Sequence, residues 1–176
     1  MASYGATARL LHWLTVLFVL STLPVGAIMV REGLSRPVQD ALFIYHKNVG
    51  VILLRLAWRL MRPPPPLPAR MPALQARMAH AVHLGLYAML LFMAITGYVR
   101  VVAGGFPIEL LDWLGVPPLL PRMDNVAETA SLLHFRGKFV LIALIVLHVG
   151  AALWHGLIKR DGVLGRMWPP LGRARG

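Results

Sequence analysis

The chain has 176 residues, no cysteine, 57% hydrophobic residues, 14% charged residues and a net charge of +11. That length suits one domain, and the surplus of apolar over charged residues relative to soluble domains (~45–50% and ~25%) argues against disorder and against a soluble enzyme. Without cysteine there is no disulfide scaffold, thiolate zinc, iron–sulfur cluster or cysteine nucleophile.

The charges leave three long gaps: Leu10 to Val30, Met78 to Val99 and Phe139 to Ile158. Each is about the 20 residues that a helix needs to cross a bilayer, and backbone groups in hydrocarbon must be satisfied within the helix. The first predicted span, 8–30, is too long for a removable signal peptide and lacks a small-residue cleavage site. Pro24 should kink it. The second, 40–61, carries Lys47 near one end and Arg55 and Arg59 near the other, where long cations can snorkel. Pro63 to Pro66, with Pro68 and Pro72, then form a stiff extended linker. The third span covers 75–102. The loop from Gly104 to Asn125 mixes Trp113 and aliphatics with Glu109 and Asp112, which suits either a short interfacial helix or a disordered loop. The fourth span covers 130–158. The expected fold is all-α: a single transmembrane domain over 1–176, an integral membrane four-helix bundle.

Four spans put both termini on one side. The other side holds Arg31, Arg36, Lys47, Arg100, Arg122, Arg136 and Lys138, and the remaining eleven of the eighteen Lys and Arg lie with the termini. The positive-inside rule therefore predicts cytoplasmic termini. The basic composition is mostly membrane topology, and no soluble basic face for nucleic acid is visible.

Seven histidines, His12, His46, His80, His83, His134, His148 and His155, lie within or near the ends of spans. A lone histidine there is commonly a hydrogen-bonded packing residue. Several, spread over all four spans, point to function, because ionisable groups in a membrane are costly. His134 and His148 are fourteen residues apart on the last helix, about 21 Å along its axis and on roughly one face. By depth, His46 can face His134 at an outer level and His12 can face His148 at an inner one. Two imidazole pairs on facing helices are what two six-coordinate haems require, and iron with both axial positions filled transfers electrons rather than binding oxygen. His155 matches the nominal depth of His12 better than His148 does and remains an alternative ligand. Gly50, one turn after His46, and Gly137, close to His134, leave room for a flat macrocycle or serve helix contacts. Lys47, Arg55, Arg136 and Lys138 are candidates for propionate or anion contact.

The segments ARLLHWLTV, YHKNVGV, AHAVHLGLYAMLL and SLLHFRGKFVLIALIVLHVGAALWHGLIKRDGVLGRMWP resemble the bacterial cytochrome b561 family over nearly the whole chain. That resemblance implies a small four-helix membrane protein with two haem b groups, related to the b-type subunits of formate dehydrogenases and nickel–iron hydrogenases. It implies His12 with His148 on the cytoplasmic haem and His46 with His134 on the periplasmic haem, as iron ligands. It also implies a quinone beside the cytoplasmic haem, with His155 the first candidate contact and His83 the second. Here a single His155 followed by Gly156 stands where some relatives have two adjacent histidines.

The function read from all this is electron transfer across the bacterial inner membrane, between a periplasmic donor and ubiquinone. Some small members of the family are superoxide oxidases, which makes superoxide a candidate donor, steered by Lys47, Arg100, Arg136 and Lys138. One alternative is a membrane subunit for a separate periplasmic dehydrogenase or c-type cytochrome. Another is a haem-free, histidine-rich metal or proton transporter, weakened by the lack of intramembrane Asp or Glu.

Overall fold

The computed structural model describes residues 4–49 and 72–168. Among them there is no strand. The helices are α1 (Ala6–Ile28), α2 (Arg36–Asn48), α3 (Ala73–Ala103), the short α4 (Glu109–Trp113) and α5 (Asp124–Leu153). α5 continues into a wider π-type turn, Trp154–Lys159, and the chain ends its described course in a single 3-10 turn, Leu164–Arg166. α1, α3 and the continuous helix Asp124–Lys159 are each long and apolar enough to cross a membrane. The expected second span coincides with α2 as far as Asn48. Its remainder, with Gly50, Arg55 and Arg59, lies outside the described residues, as does the linker Pro63 to Pro66.

Local sequence explains the helix boundaries. α2 opens after Ser35 with a proline in its first turn, where the missing N–H has no helical partner to lose. It closes with Lys47 in its last turn, a cation at the negative end of the helix dipole. α3 stops at Gly104, and Gly105 then takes φ of +79°, a left-handed backbone that glycine adopts without steric cost. The Met123 N–H reaches back to the Ala103 carbonyl at 2.8 Å, so α5 starts beside the end of α3. α1 runs through Pro24 without interruption. In the preceding turn the hydroxyls of Ser21 and Thr22 bond back to the Phe18 carbonyl at 3.0 and 2.6 Å.

α3 and α5 pack antiparallel along their length. Lys159 Nζ donates to Gln75 Oε1 at 3.1 Å, Leu144 lies against Gly85, Phe92 and Met93 lie against Gly137, and His134 reaches Met93. A Cβ on Gly137 would sit 2.8 Å from Phe92 Cε1 and 3.0 Å from Met93 Sδ. Gly137 therefore brings the two helices close together, the helix-contact role of small residues in membranes. α2 folds back on α1: the Gln39 amide donates to the Met29 carbonyl at 3.0 Å, and Ser21 and Tyr45 share a hydroxyl bond of 2.6 Å. α4 is clasped to the end of α2 by Glu109. Its carboxylate takes Lys47 Nζ at 2.6 Å on one oxygen and Asn48 Nδ2 at 2.8 Å on the other, while Asn48 Oδ1 accepts the Leu110 N–H at 2.9 Å.

At the opposite end, the start of α1 meets the residues after α5. Trp13 Nε1 donates to the Met167 carbonyl at 2.9 Å, the Tyr4 N–H to the Arg166 carbonyl at 3.2 Å, and Trp13 meets Trp168 edge to face. Arg9 and Arg166 are both buried there. Large apolar side chains such as Leu17, Leu84, Val146 and Leu157 point outward, the arrangement expected where lipid replaces water around a bundle.

Candidate functional site: two histidine pairs across the bundle

The outer pair is His46 on α2 and His134 on α5, with ring centres 6.1 Å apart. Each ring is held from behind by a different neighbouring helix. His46 Nδ1 lies 3.1 Å from the Thr22 carbonyl of α1. His134 Nδ1 lies 3.1 Å from the Met93 carbonyl of α3 and 3.1 Å from Thr96 Oγ1. A carbonyl only accepts, so both Nδ1 atoms carry the proton and donate it. The Thr96 hydroxyl proton goes to the Phe92 carbonyl at 2.7 Å, which leaves its oxygen as a second acceptor for His134. With Nδ1 protonated, Nε2 of each neutral ring keeps its lone pair, the tautomer that a metal-binding histidine needs.

The same local device serves both rings. Thr22 and Gly26 are four apart on α1, and Met93 and Gly97 are four apart on α3, so in each case the glycine lies one turn beyond the accepting carbonyl. A Cβ on Gly26 would lie 2.7 Å from His46 Cε1 and 3.2 Å from its Nδ1. One on Gly97 would lie 3.2 Å from His134 Cε1 and 3.4 Å from its Nδ1. The missing side chains let each imidazole lie flat against the neighbouring helix and reach its backbone.

The inner pair is His12 on α1 and His148 on α5, with ring centres 6.2 Å apart, and His83 of α3 stands 5.2 Å from His148. Fourteen residues of α5 separate the two levels, about 21 Å at the helical rise. His155 lies in the π-type turn and donates Nδ1–H to Asp161 Oδ2 at 2.5 Å. His80 is exposed near the start of α3.

The other site candidates are placed as follows. Lys47 is held by Glu109 and by the Pro107 carbonyl at 2.9 Å. Lys138 Nζ lies over the Phe135 ring, 3.9 Å from its centre. Arg136 is exposed. Arg55 is outside the described residues.

The prokaryotic cytochrome b561 family matches residues 3–170. The chain belongs to that family. Cytochrome b561 homolog 2 of Escherichia coli (strain K12) is 34% identical over 170 residues, covering 93% of this chain and 90% of that protein. Cytochrome b561 homolog 1 of the same organism is 28% identical over 181 residues, covering 96% and 98%. A Yersinia pestis protein named probable superoxide oxidase CybB is 24% identical over 168 residues, covering 90% and 92%. No solved structure matches the chain.

Membership makes this cytochrome b561 protein a multi-pass membrane electron-transfer protein and implies haem b. The residues present suit that group. Each pair brings imidazoles from two helices together with ring centres 6.1 and 6.2 Å apart, a separation at which both could ligate one haem iron between them. The outer pair also carries the second shell that orients ligating histidines. Sequence reasoning missed Thr22, Gly26, Met93, Gly97 and Thr96. The available signal was a glycine within each of two apolar helices, at the depth of a histidine on another helix. It also missed Glu109 as the partner of Lys47, and Asp161 as the partner of His155.

Proposed function

We propose that this chain is a four-helix, di-haem b cytochrome of the bacterial inner membrane, with cytoplasmic termini, that carries electrons between a periplasmic donor and ubiquinone. His46 and His134 hold the outer haem, and His12 and His148 the inner one. The observation that carries this reading is the pair of cross-helix imidazole contacts, at two levels of α5, with ring centres 6.1 and 6.2 Å apart.

Haem b, when bound, supplies a one-electron redox centre. The protein's own part is positional. The Thr22 and Met93 carbonyls lock the outer rings in the Nε2-ligating tautomer, and α5 sets both levels on one rigid rod. The two histidines of each pair would hold haem b from both sides, so substrate would meet the edge of the site. The test is a reduced-minus-oxidised optical spectrum with haem quantified per chain. Two haems are expected in the parent and about one in each of His12→Ala, His46→Ala, His134→Ala and His148→Ala. Four variants that keep both haems would reject the ligand set.

Superoxide is the donor that the name of the Yersinia pestis relative favours. With Lys47 engaged by Glu109, steering of that anion falls to Arg100, Arg136 and Lys138. Mixing purified protein with superoxide and ubiquinone tests it: quinol formation no faster than the spontaneous reaction rejects superoxide. A soluble redox protein that co-purifies in fixed stoichiometry would make the chain its membrane subunit instead.

A further inference from the structure

The last turn of the membrane helix is built in an unusual way. After Leu153 the helix widens into the π-type turn Trp154–Lys159, a feature frequently found at functional sites. Arg160 then takes a left-handed backbone, φ of +50°, which is strained for a residue with a Cβ. Strain of this kind persists only where the surroundings impose it. What it achieves is the placement of one side chain. The chain doubles back so that the Asp161 N–H points at the His155 carbonyl (3.4 Å), and the Asp161 carboxylate is turned onto the His155 ring. Oδ2 receives Nδ1–H at 2.5 Å, and Oδ1 is anchored by the Val163 N–H at 3.2 Å. The His155 side chain is 12% exposed and that of Asp161 31%, so the pair runs from the protein toward water.

The carboxyl is ionised. Burial pushes its pKa up, but hydrogen bonds from His155 and the Val163 N–H, with the positive charges of His155 and Lys159, hold it below the usual carboxylate range. The neighbouring cations make their direct contacts with other groups. Lys159 donates to Gln75 of α3 and lies over the Trp154 ring, and Arg160 donates to the Leu157 carbonyl.

We propose that Asp161 is a positioning residue that makes His155 the proton donor to quinone at the termini end of the bundle. This rests on the quinone reading above. The pairing assigns Nδ1–H to the carboxylate and leaves Nε2 as the exchanging nitrogen. Reduction of a quinone adds two electrons and two protons. The electrons come from the external donor, and haem b, when bound, would relay them one at a time. Each proton leaves Nε2 for a quinone oxygen, forming an O–H bond, and solvent water returns a proton to Nε2 while Nδ1–H stays on the Asp161 carboxylate. Asp161 holds the ring in register through both turnovers and offsets its charge when protonated.

The experiment uses the purified haem-loaded protein, reduced and mixed with a short-chain ubiquinone, with loss of the reduced haem band followed by stopped flow. Asp161→Asn should slow reoxidation by quinone about 10–100-fold, and Asp161→Glu should recover much of the loss. Reoxidation by ferricyanide, a one-electron acceptor that takes no proton, should be unchanged in both. Histidine-nitrogen NMR should show His155 as the Nδ1–H tautomer in the parent and a mixture in Asp161→Asn. An Asp161→Asn protein that quinone reoxidises as fast as the parent overturns the proposal, and so does one slowed equally with both acceptors. If ferricyanide but not quinone reoxidises the parent itself, the quinone reading fails and takes this one with it.

Discussion

Replacing Gly26 with alanine tests whether the outer histidine is positioned by the helix behind it. The new Cβ would sit 2.7 Å from His46 Cε1, well inside van der Waals contact. The obstruction is a ring bonded through Nδ1 to the Thr22 carbonyl at 3.1 Å, so the ring cannot retreat and keep that bond. Losing the bond costs about 0.5–1.5 kcal/mol and overpacking about 1–3 kcal/mol, against up to ~1 kcal/mol gained from alanine's helix propensity. Loss of a ligand's orienting partner typically weakens metal binding about 10–100-fold. Gly97→Ala should do the same to His134 more weakly, because its Cβ would lie 3.2 Å from Cε1 and the ring needs to yield only slightly. Gly85→Ala, whose Cβ would make ordinary 3.4 Å contact with Leu144, and Gly150→Ala, which meets nothing within 4 Å, are the controls. The assay is haem per chain together with the midpoint potential of each haem. The expected order of damage is Gly26, then Gly97, then the controls, confined to one haem. A Gly26→Ala protein indistinguishable from Gly150→Ala would refute the reasoning.

Thr96→Val removes one of two acceptors from His134 Nδ1 and leaves Met93 in place. Both haems should remain, and a less basic ligand should raise one midpoint potential by about 20–60 mV, measured by redox titration. Glu109→Gln should cost no more than about 1 kcal/mol, since the carboxylate is 37% exposed and solvent screens its bond to Lys47. Burial pushes the Glu109 pKa up, but bonds from Lys47, its own N–H and Asn48, with the charge of Lys47, hold it below the usual range. Its stabilisation is thus complete above the ordinary carboxylate pKa of about 4.3 and disappears as pH falls through the lowered value. The difference in thermal stability between parent and Glu109→Gln should close over that acid window and stay constant above it. Trp13→Phe deletes the bond to the Met167 carbonyl. It should lower stability by about 0.5–1.5 kcal/mol and speed proteolysis after Lys159 or Arg160.

Much of this was legible along the chain. Uninterrupted apolar stretches between Arg9 and Arg31, Arg77 and Arg100, and Lys138 and Lys159 mark helices that cross a membrane, because charge in hydrocarbon is costly over any length. Residue spacing on one helix is similarly direct, so the two levels of His134 and His148 follow from the rise per residue. Gly137 was ambiguous, since a glycine that admits a macrocycle and one that admits a neighbouring helix look alike in sequence. Its contacts with Phe92 and Met93 decide for the helix. Lys47 is a candidate for propionate or anion contact from sequence, and its partner Glu109 lies 62 positions away, beyond any pattern of local spacing.

Composition and periodicity by themselves determined that the protein is helical and membrane-embedded, and how far apart the histidines of one helix lie. Those properties depend on the solvent around a segment and on the helical repeat, both local to the chain. Only the tertiary structure decided which backbone carbonyls orient the outer rings, which glycines let the rings approach, and that Asp161 is turned onto His155. Such pairings arise where separate helices and turns meet, and no short-range regularity records which surfaces will touch.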